Sequence, residues 1–222
     1  MTGGLSNAVS NSFFLNFERI CLRVLIGAYY QIYNKKEYDI DWEEDQFSDW
    51  LINRMNKHKL TLKYRLFIYP QSLIRKDAPP VDDNHPKKSP KIDIGFWSWS
   101  FINAPAQYFF EAKNLCAKDW FKRTGTKVSS SYYYNRYIET GIENFRTERY
   151  PNGSLLGYVL NGDIETIVQG INERLKFTQV LIQELIRDND YEIENYSFFF
   201  CSKHVDKRSN PVKIKHIFLS FS

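Results

Sequence analysis

Six short apolar runs with the pattern of β-strands constrain the fold of this 222-residue chain more than any other feature. In sequence order they lie in KLTLKYRLFIYP, KIDIGFWSW, QYFFEAK, SLLGYVLNG, YSFFFCSKH and VKIKHIFLSF. Alternation of apolar and polar residues indicates a strand with one face in a core, and a continuous apolar run such as the fourth indicates a strand buried on both faces. The first run is expected to stop at Pro70, and the last two flank a polar turn, VDKRSNP, that predicts a terminal hairpin.

Four segments with helical periodicity precede or separate these strands. Apolar residues recur at helical spacing from about Ser12 to Asn34, and a second helix follows in WEEDQFSDWLINRMNKH, whose first turn is acidic. A third helix is predicted across YYYNRYIETGIENFRTE, and a fourth across DIETIVQGINERLKFTQVLIQELI with Asp163 as its N-cap. The order α-α-β-β-β-α-β-α-β-β predicts a mixed sheet flanked by helices in an α/β fold.

The predicted elements leave no room for a domain boundary. The segment KDAPPVDDNHPKKSP is rich in proline and charge and predicts a surface loop, and a long hairpin loop is expected between the second and third strands. The segments on either side of the first loop are too small to fold alone. We therefore expect a single domain over residues 1–222, with the first ~11 residues flexible.

Composition excludes several classes of protein. Hydrophobic residues make up 43% of the chain and aromatic residues 17%, which excludes a disordered chain. The three cysteines form no CxxC pair and the four histidines have no metal-binding spacing, so neither a disulfide framework nor a zinc hydrolase is expected. The chain has no signal sequence and no long apolar run, which predicts a cytoplasmic protein without a membrane partner. A net charge of +4 permits an anionic partner without requiring one.

Charged residues interrupt the two central apolar runs. Glu111 and Lys113 lie two positions apart in QYFFEAK, so they project from the same face of the predicted strand. Asp93 lies between Ile92 and Ile94 in the preceding strand, and pairing of the two strands would bring it beside Glu111. The alternative is an ion pair on an exposed sheet face, which needs no apolar flanking residues.

Carboxylates that leave a core side by side indicate a cation site. Two such groups repel each other, and their desolvation is costly unless a cation lies between them. Mg²⁺ prefers hard oxygen ligands and keeps positions open for water and phosphate. A lysine beside it can hold or activate the attacking water and offset negative charge on phosphorus. Asp93, Glu111 and Lys113 therefore predict metal-assisted phosphodiester hydrolysis.

Asp93 followed by Glu111-Ala112-Lys113 resembles the PD-(D/E)XK nuclease superfamily, which has the restriction-endonuclease-like fold. The order of helices and strands around these residues is also similar, over roughly residues 12 to 175. The resemblance implies that Asp93 and Glu111 bind Mg²⁺, for which Mn²⁺ can substitute, and that Lys113 assists the nucleophilic water. The residue before the aspartate is an isoleucine here rather than the proline of the pattern.

The same resemblance implies that an acidic residue on an early helix completes the metal shell. Glu44, at the start of the second predicted helix, is the candidate for this role, ahead of Glu43. The alternative for Glu44 is an ordinary acidic helix start, where the helix dipole favours negative charge.

Basic residues that follow the third strand could contact phosphates. The candidates are Lys118, Lys122, Arg123 and Lys127 in KDWFKRTGTK, and Arg136 on the third predicted helix. KKSPK, in the proline-rich loop, is a further basic segment. The alternative for each is a solvated surface position. The tyrosines of SSSYYYNRY could stack on bases, although tyrosines at helical spacing are more often part of a core.

Together these features predict a Mg²⁺-dependent endonuclease that cuts DNA. The resemblance implies a prokaryotic role in genome or phage defence, and a homodimer or a subunit of a defence complex, because duplex cleavage by this fold generally needs two sites. Two alternatives stay open: a non-enzymatic nucleic-acid- or protein-binding subunit that retains the fold, and a nuclease acting on RNA or single strands. His204 and His216, on the last hairpin, are expected to be structural or exposed.

Overall fold

The computed structural model describes residues 7–73, 91–99, 106–147, 153–189 and 191–222. Its centre is one seven-stranded sheet. In spatial order the strands are β1 (Phe67–Leu73), β2 (Lys91–Ser98), β3 (Ala106–Cys116), β6 (Gly153–Asn161), β9 (Pro211–Ser220), β8 (Phe199–Val205) and β7 (Leu181–Arg187). The three central strands β3, β6 and β9 run parallel, and all other neighbours pair antiparallel. A separate two-stranded ribbon is formed by β4 (Trp120–Phe121) and β5 (Lys127–Val128).

Helices cover both faces of the sheet, which confirms the predicted α/β class. They are α1 (Asn7–Lys35), α2 (Glu44–Met55), α3 (Lys59–Lys63), α4 (Ser130–Arg136), α5 (Glu143–Arg146) and α6 (Ile164–Leu175). A π-helical segment, Tyr137–Ile142, joins α4 to α5. The buried faces of α1 and α2 pack on one side of the sheet, and those of α4, the π-helical segment, α5 and α6 pack on the other. This arrangement of sheet and helices is that of a single domain with a hydrophobic core on each side of the sheet.

The alternating side chains of β3 contribute to both cores. Phe110 and Ala112 pack with α1 and α2, whereas Phe109 and Leu115 pack on the opposite face with α6 and the π-helical segment. Every residue of β3 from Tyr108 to its end is buried. Glu111 and Lys113 therefore lie within a buried strand, on the face shared with Phe109 and Leu115.

The prediction of one long fourth helix was wrong in its second half. The helix α6 ends at Leu175, and residues Leu181–Arg187 form the edge strand β7. The residues of β7 also satisfy a period of two, with Leu185 buried while Ile186 is exposed. The side-chain amide of Asn172 on α6 pairs with both the N–H and the C=O of Leu185, at 2.8 and 3.0 Å. The apolar spacing of Leu181–Arg187 fits either a helix or a strand. Pairing with β8 and the two hydrogen bonds to Asn172 stabilise the strand.

The first predicted strand begins later than expected. Leu60 and Leu62 lie in the short helix α3, where His58 caps the first turn by accepting from the Leu60 N–H. The strand β1 starts at Phe67 and continues through Pro70 instead of stopping there. Because β1 is at the edge of the sheet and pairs with β2 alone, it tolerates a residue without an N–H.

The remaining predictions on secondary structure have mixed outcomes. The terminal hairpin is confirmed as β8 and β9. The helix α1 begins at Asn7, ahead of its predicted start near Ser12, and so includes part of the segment expected to be flexible. The loop within KDAPPVDDNHPKKSP and the connection between β2 and β3 lie outside the described residues. Within the described part of the chain, no helix combines the length and apolarity needed to cross a membrane.

Candidate active site

Asp93 lies where β2 separates from β3. The ladder between these strands ends with the pair Ile94–Phe110, and continuing that register by one residue sets Asp93 opposite Glu111. The Ala112 N–H donates to Asp93 Oδ2 at 2.6 Å. A carboxylate that accepts from a backbone N–H holds its side chain in one orientation, so Asp93 is fixed at the point of strand separation.

Glu111 and Lys113 form a buried ion pair. The Lys113 ammonium donates to Glu111 Oε1 at 2.5 Å and to the Ala112 carbonyl at 2.7 Å. Only 5% of Glu111 and 3% of Lys113 is exposed. The alternative of an ion pair on an exposed sheet face is therefore excluded by the burial of both side chains. Burial of a charged pair is costly unless further hydrogen bonds satisfy its atoms.

Glu44 joins the same cluster from the first residue of α2. Its Oε2 lies 3.9 Å from the Lys113 ammonium and 3.4 Å from the Arg136 guanidinium. Its Oε1 accepts from the Asn114 N–H at 3.2 Å. Glu43 instead forms an ion pair with Lys122, away from Lys113. Of the two acidic candidates, Glu43 is the N-cap of α2, and it is Glu44 that the structure brings to the strand residues.

Burial and mutual repulsion change the ionisation of these groups. Desolvation, with a second contribution from the charge of Glu111, raises the pKa of Asp93 to about 7, and Lys113 offsets only part of this. Desolvation also raises the pKa of Glu44 above its usual range, against the attraction of Lys113 and Arg136. Burial alone would lower the pKa of Lys113, but the surrounding carboxylates outweigh it and raise that pKa. The cluster therefore favours added positive charge.

The donor chemistry of this cluster fits a hard divalent cation. Asp93, Glu111 and Glu44 offer carboxylate oxygens, and Glu111 Oε2 is buried without a hydrogen-bond partner among the described residues. In the arrangement observed, no three His, Cys, Asp or Glu side chains of the described ranges converge as a set that could hold a metal ion. The Lys113 ammonium instead contacts Glu111 and approaches Glu44. Binding of a cation at these oxygens would require the ammonium to move away from Glu111.

Most of the residues predicted to bind nucleic acid are already ion-paired with acidic side chains. Lys122 pairs with Glu43, Arg123 with Asp39 and Asp41, Lys127 with Asp119, and Arg136 with Glu44. Lys118 is exposed and has no ion pair within the described residues. Arg123 and Lys127 are largely exposed, and surface pairs of this kind are weak enough for a phosphate to compete with them. The predicted basic surface is therefore closer to neutral than the sequence suggested.

The basic segment KKSPK lies outside the described residues except for its last lysine.

Two further polar clusters were not anticipated from the sequence. Glu18 of α1 is buried and accepts from the Tyr108 hydroxyl at 3.0 Å, and it forms an ion pair with Lys215. The position of Glu18 on the apolar face of a helix was a signal that could have identified it. His204 and His216 are both fully buried and lie in one hydrogen-bonded chain. They were expected to be structural or exposed, and exposure is excluded.

Comparison of the chain with known protein families, with characterised proteins and with solved structures finds no match. The resemblance to PD-(D/E)XK nucleases therefore stays a prediction based on four residues and the order of elements. Any functional argument for this chain depends on the geometry and chemistry of its own side chains.

Proposed function

We propose that this chain is a Mg²⁺-dependent endonuclease that hydrolyses phosphodiester bonds in DNA. The observation that carries the proposal is a cluster of three carboxylates around Lys113: Glu111 is buried, with one oxygen left without a partner among the described residues, and Asp93 and Glu44 are partly buried. Such a cluster is costly for folding, and perturbed buried groups of this kind concentrate at functional sites. A divalent cation and a phosphate together would satisfy its charges.

In this proposal the carboxylates and the lysine have separate roles. Asp93, Glu111 and Glu44 hold the cation, which when bound supplies Lewis acidity and a more acidic water. Lys113 provides N–H donors that orient the attacking water and offset negative charge on the phosphate oxygens. The water oxygen bonds to phosphorus in line as the bond to the leaving oxygen breaks. The water loses one proton to solvent, and the leaving oxygen takes one proton up from solvent. Asp93, anchored by the Ala112 N–H, keeps its second oxygen available to the cation.

The proposed substrate and assembly extend this site. Exposed basic residues after β3, such as Lys118, Arg123 and Lys127, would contact the DNA backbone by exchanging weak surface pairs for phosphates. A homodimer, or association with a nuclease partner in a defence complex, would supply the second site that duplex cleavage needs. We also propose a role in prokaryotic genome or phage defence, and this part of the proposal is supported by the family resemblance alone.

A plasmid-nicking assay tests the proposal. Wild-type protein with Mg²⁺ or Mn²⁺ is expected to nick supercoiled DNA, and EDTA, Glu111→Gln, Asp93→Asn and Lys113→Met are each expected to abolish nicking. Lys215→Met is a matched control because Lys215 also pairs with a buried glutamate, Glu18, outside the site. Circular dichroism verifies that each variant is folded. Nicking that survives Glu111→Gln in a folded protein would contradict the site, and a wild type inactive with both metals would contradict the activity.

A non-enzymatic binding subunit is the second candidate. The low exposure of Glu111 and Lys113 and the pairing of Lys122, Arg123 and Arg136 with carboxylates favour it, since both leave little charge free for a substrate. Gel-shift binding of duplex DNA without nicking under any metal would support this candidate. Cleavage of RNA or of single-stranded DNA, without nicking of duplex DNA in the same assays, would instead identify a nuclease for those substrates.

A further inference from the structure

A cavity of about 290 Å³, partly open to solvent, is lined in part by the π-helical segment, and none of Asp93, Glu111, Lys113 or Glu44 lines it. Its apolar wall includes Ile138 and Ile142 of that segment and Leu175 at the end of α6, and His204 of β8 also lines it. The volume is close to the lower end of the range of small-molecule sites, about 300–1,000 Å³. π-Helical turns are rare and occur frequently at functional sites.

A chain of four buried side chains ends at this cavity. The Tyr137 hydroxyl lies 2.9 Å from His216 Nδ1, and His216 Nε2 lies 2.8 Å from Ser202 Oγ. Ser202 Oγ is in turn 2.7 Å from His204 Nε2. The remaining ring nitrogen, His204 Nδ1, is buried and has no hydrogen-bond partner among the described residues. Buried polar atoms are rarely left unsatisfied, so an unpaired one beside a cavity indicates a missing partner.

The direction of the hydrogen bonds between these four side chains determines whether His204 Nδ1 is a donor or an acceptor. Burial lowers the pKa of both imidazoles, so each ring is neutral and carries one N–H. Within the described residues His216 is the one acceptor that the Tyr137 hydroxyl can reach. We assign this hydroxyl as the donor to Nδ1, which places the His216 proton on Nε2. His216 then donates to Ser202, and Ser202 donates to His204 Nε2. The proton of His204 is therefore on Nδ1, which is a donor in need of an acceptor.

The charges around the cavity select against anions. Glu139 and Glu143 both line it, whereas no lysine or arginine among the described residues does. Glu143 is paired with Arg146 through both carboxylate oxygens. Glu139 is exposed and has no ion pair in the described part of the chain. Because Arg146 offsets Glu143, the uncompensated negative charge at the cavity is that of Glu139, which favours an ammonium group over a phosphate or a carboxylate.

We propose that this cavity is a binding site for a small amphipathic amine. The ammonium group pairs with Glu139, the apolar body contacts Ile138, Ile142 and Leu175, and an oxygen at the far end accepts from His204 Nδ1–H. The inference is independent of the proposed nuclease activity, because it uses other side chains on another part of the sheet.

Three probes of nearly equal size, which share the aromatic body, test the two polar contacts of this inference. Tyramine has the ammonium group, the aromatic body and a hydroxyl that can accept from His204. Phenethylamine lacks the hydroxyl, and 4-hydroxyphenylacetate replaces the ammonium group with a carboxylate. Each is titrated into the full chain while the methyl signals of Ile138 and Ile142 and the ring nitrogen signals of His204 are followed by NMR.

Tyramine is expected to shift these signals saturably and to change the Nδ1 signal of His204. Loss of one hydrogen bond or one ion pair typically weakens binding by about 2–10-fold, so phenethylamine should bind more weakly by that factor. The carboxylate probe should not bind. Absence of a saturable shift with both amines, or equal binding of the anion, would overturn the proposal.

Variants separate this cavity from nonspecific amine binding. Glu139→Gln changes an exposed side chain and is expected to weaken tyramine binding by about 2–10-fold without affecting folding. Glu192→Gln is the matched control, since Glu192 is exposed at the opposite end of the β7–β8 hairpin. Equal weakening by the two variants would overturn the assignment. Retained plasmid nicking in Glu139→Gln would show that this site and the nuclease site are separate.

Discussion

At the scale of single residues, the burial of the charged side chain of Lys113 has the largest expected effect on stability. Its ammonium is almost fully removed from water and is compensated by Glu111, by the Ala112 carbonyl and, at a longer distance, by Glu44. Replacing one member of a buried ion pair leaves the other charge without compensation, which costs more than the pair itself contributes. The residue that the proposed chemistry requires is therefore also a residue on which folding depends.

Lys113→Met is expected to lower the free energy of unfolding by about 3–5 kcal/mol, because Glu111 then remains buried without a cationic partner. Adding Glu111→Gln should recover part of that loss, since the double variant removes both charges. Urea unfolding of the wild type, the two single variants and the double variant measures this coupling. Lys118→Met, which alters an exposed lysine, should change stability by less than about 0.5 kcal/mol. A Lys113→Met variant as stable as the control would contradict a buried ion pair.

At the scale of elements, the β8–β9 hairpin depends on two histidines staying neutral. Burial lowers the pKa of His204 to about 4 and lowers that of His216 well below its usual range. An unfolded histidine binds a proton near pH 6.5, so between about pH 6.5 and 4 the unfolded chain holds protons that the folded chain lacks. Stability is therefore lost as the pH falls through this window. Asp93 acts with the opposite sign, because its raised pKa means that the folded chain holds the extra proton.

The contribution of His204 can be isolated by comparing how steeply the free energy of unfolding changes with pH in the wild type and in a variant. Between pH 6.5 and 5, the wild type should lose stability on acidification faster than His204→Gln, by about 1 kcal/mol per pH unit. Glutamine keeps hydrogen-bonding atoms but cannot take up a proton in this range. Urea unfolding at several pH values gives both slopes, and the Asp93 contribution cancels in their difference. Identical slopes would mean that His204 is not held neutral in the folded chain.

At the scale of the whole molecule, the buried carboxylates couple the proposed cation to folding. A ligand that binds only the folded state raises its stability by mass action. The cluster of Asp93, Glu111 and Glu44 connects β2, β3 and α2, so a cation held there would link three elements that are distant in sequence. Glu18 is likewise paired with one lysine, Lys215, but a single carboxylate offers a cation fewer ligands than the three carboxylates of this cluster.

Mg²⁺ at about ten times its dissociation constant is expected to stabilise the wild type by about 1.4 kcal/mol, which corresponds to a rise in Tm of about 3–6 °C. Calorimetry with Mg²⁺ and with excess EDTA measures the difference. Asp93→Asn and Glu111→Gln should abolish the rise, whereas Glu18→Gln, a change to a buried carboxylate elsewhere, should retain it. The same rise in all four proteins would mean that Mg²⁺ acts away from the proposed site.

The sequence by itself determined those features that depend on local periodicity. The period of two predicted β2, β3 and the terminal hairpin, and it put Glu111 and Lys113 on one side of a strand. The period of 3.6 predicted α1 and α2. These features follow from the directions of successive side chains and need no knowledge of distant contacts.

Only the tertiary structure decided the features that depend on which elements meet. Residues Leu181–Arg187 fit both periods and became a strand through pairing with β8 and Asn172. Glu44 and Lys113 are far apart in sequence, and their proximity depends on how α2 packs against β3. The buried histidine chain likewise joins the π-helical segment to β8 and β9. Long-range contacts of this kind are set by burial and charge compensation across the whole core, which local patterns do not encode.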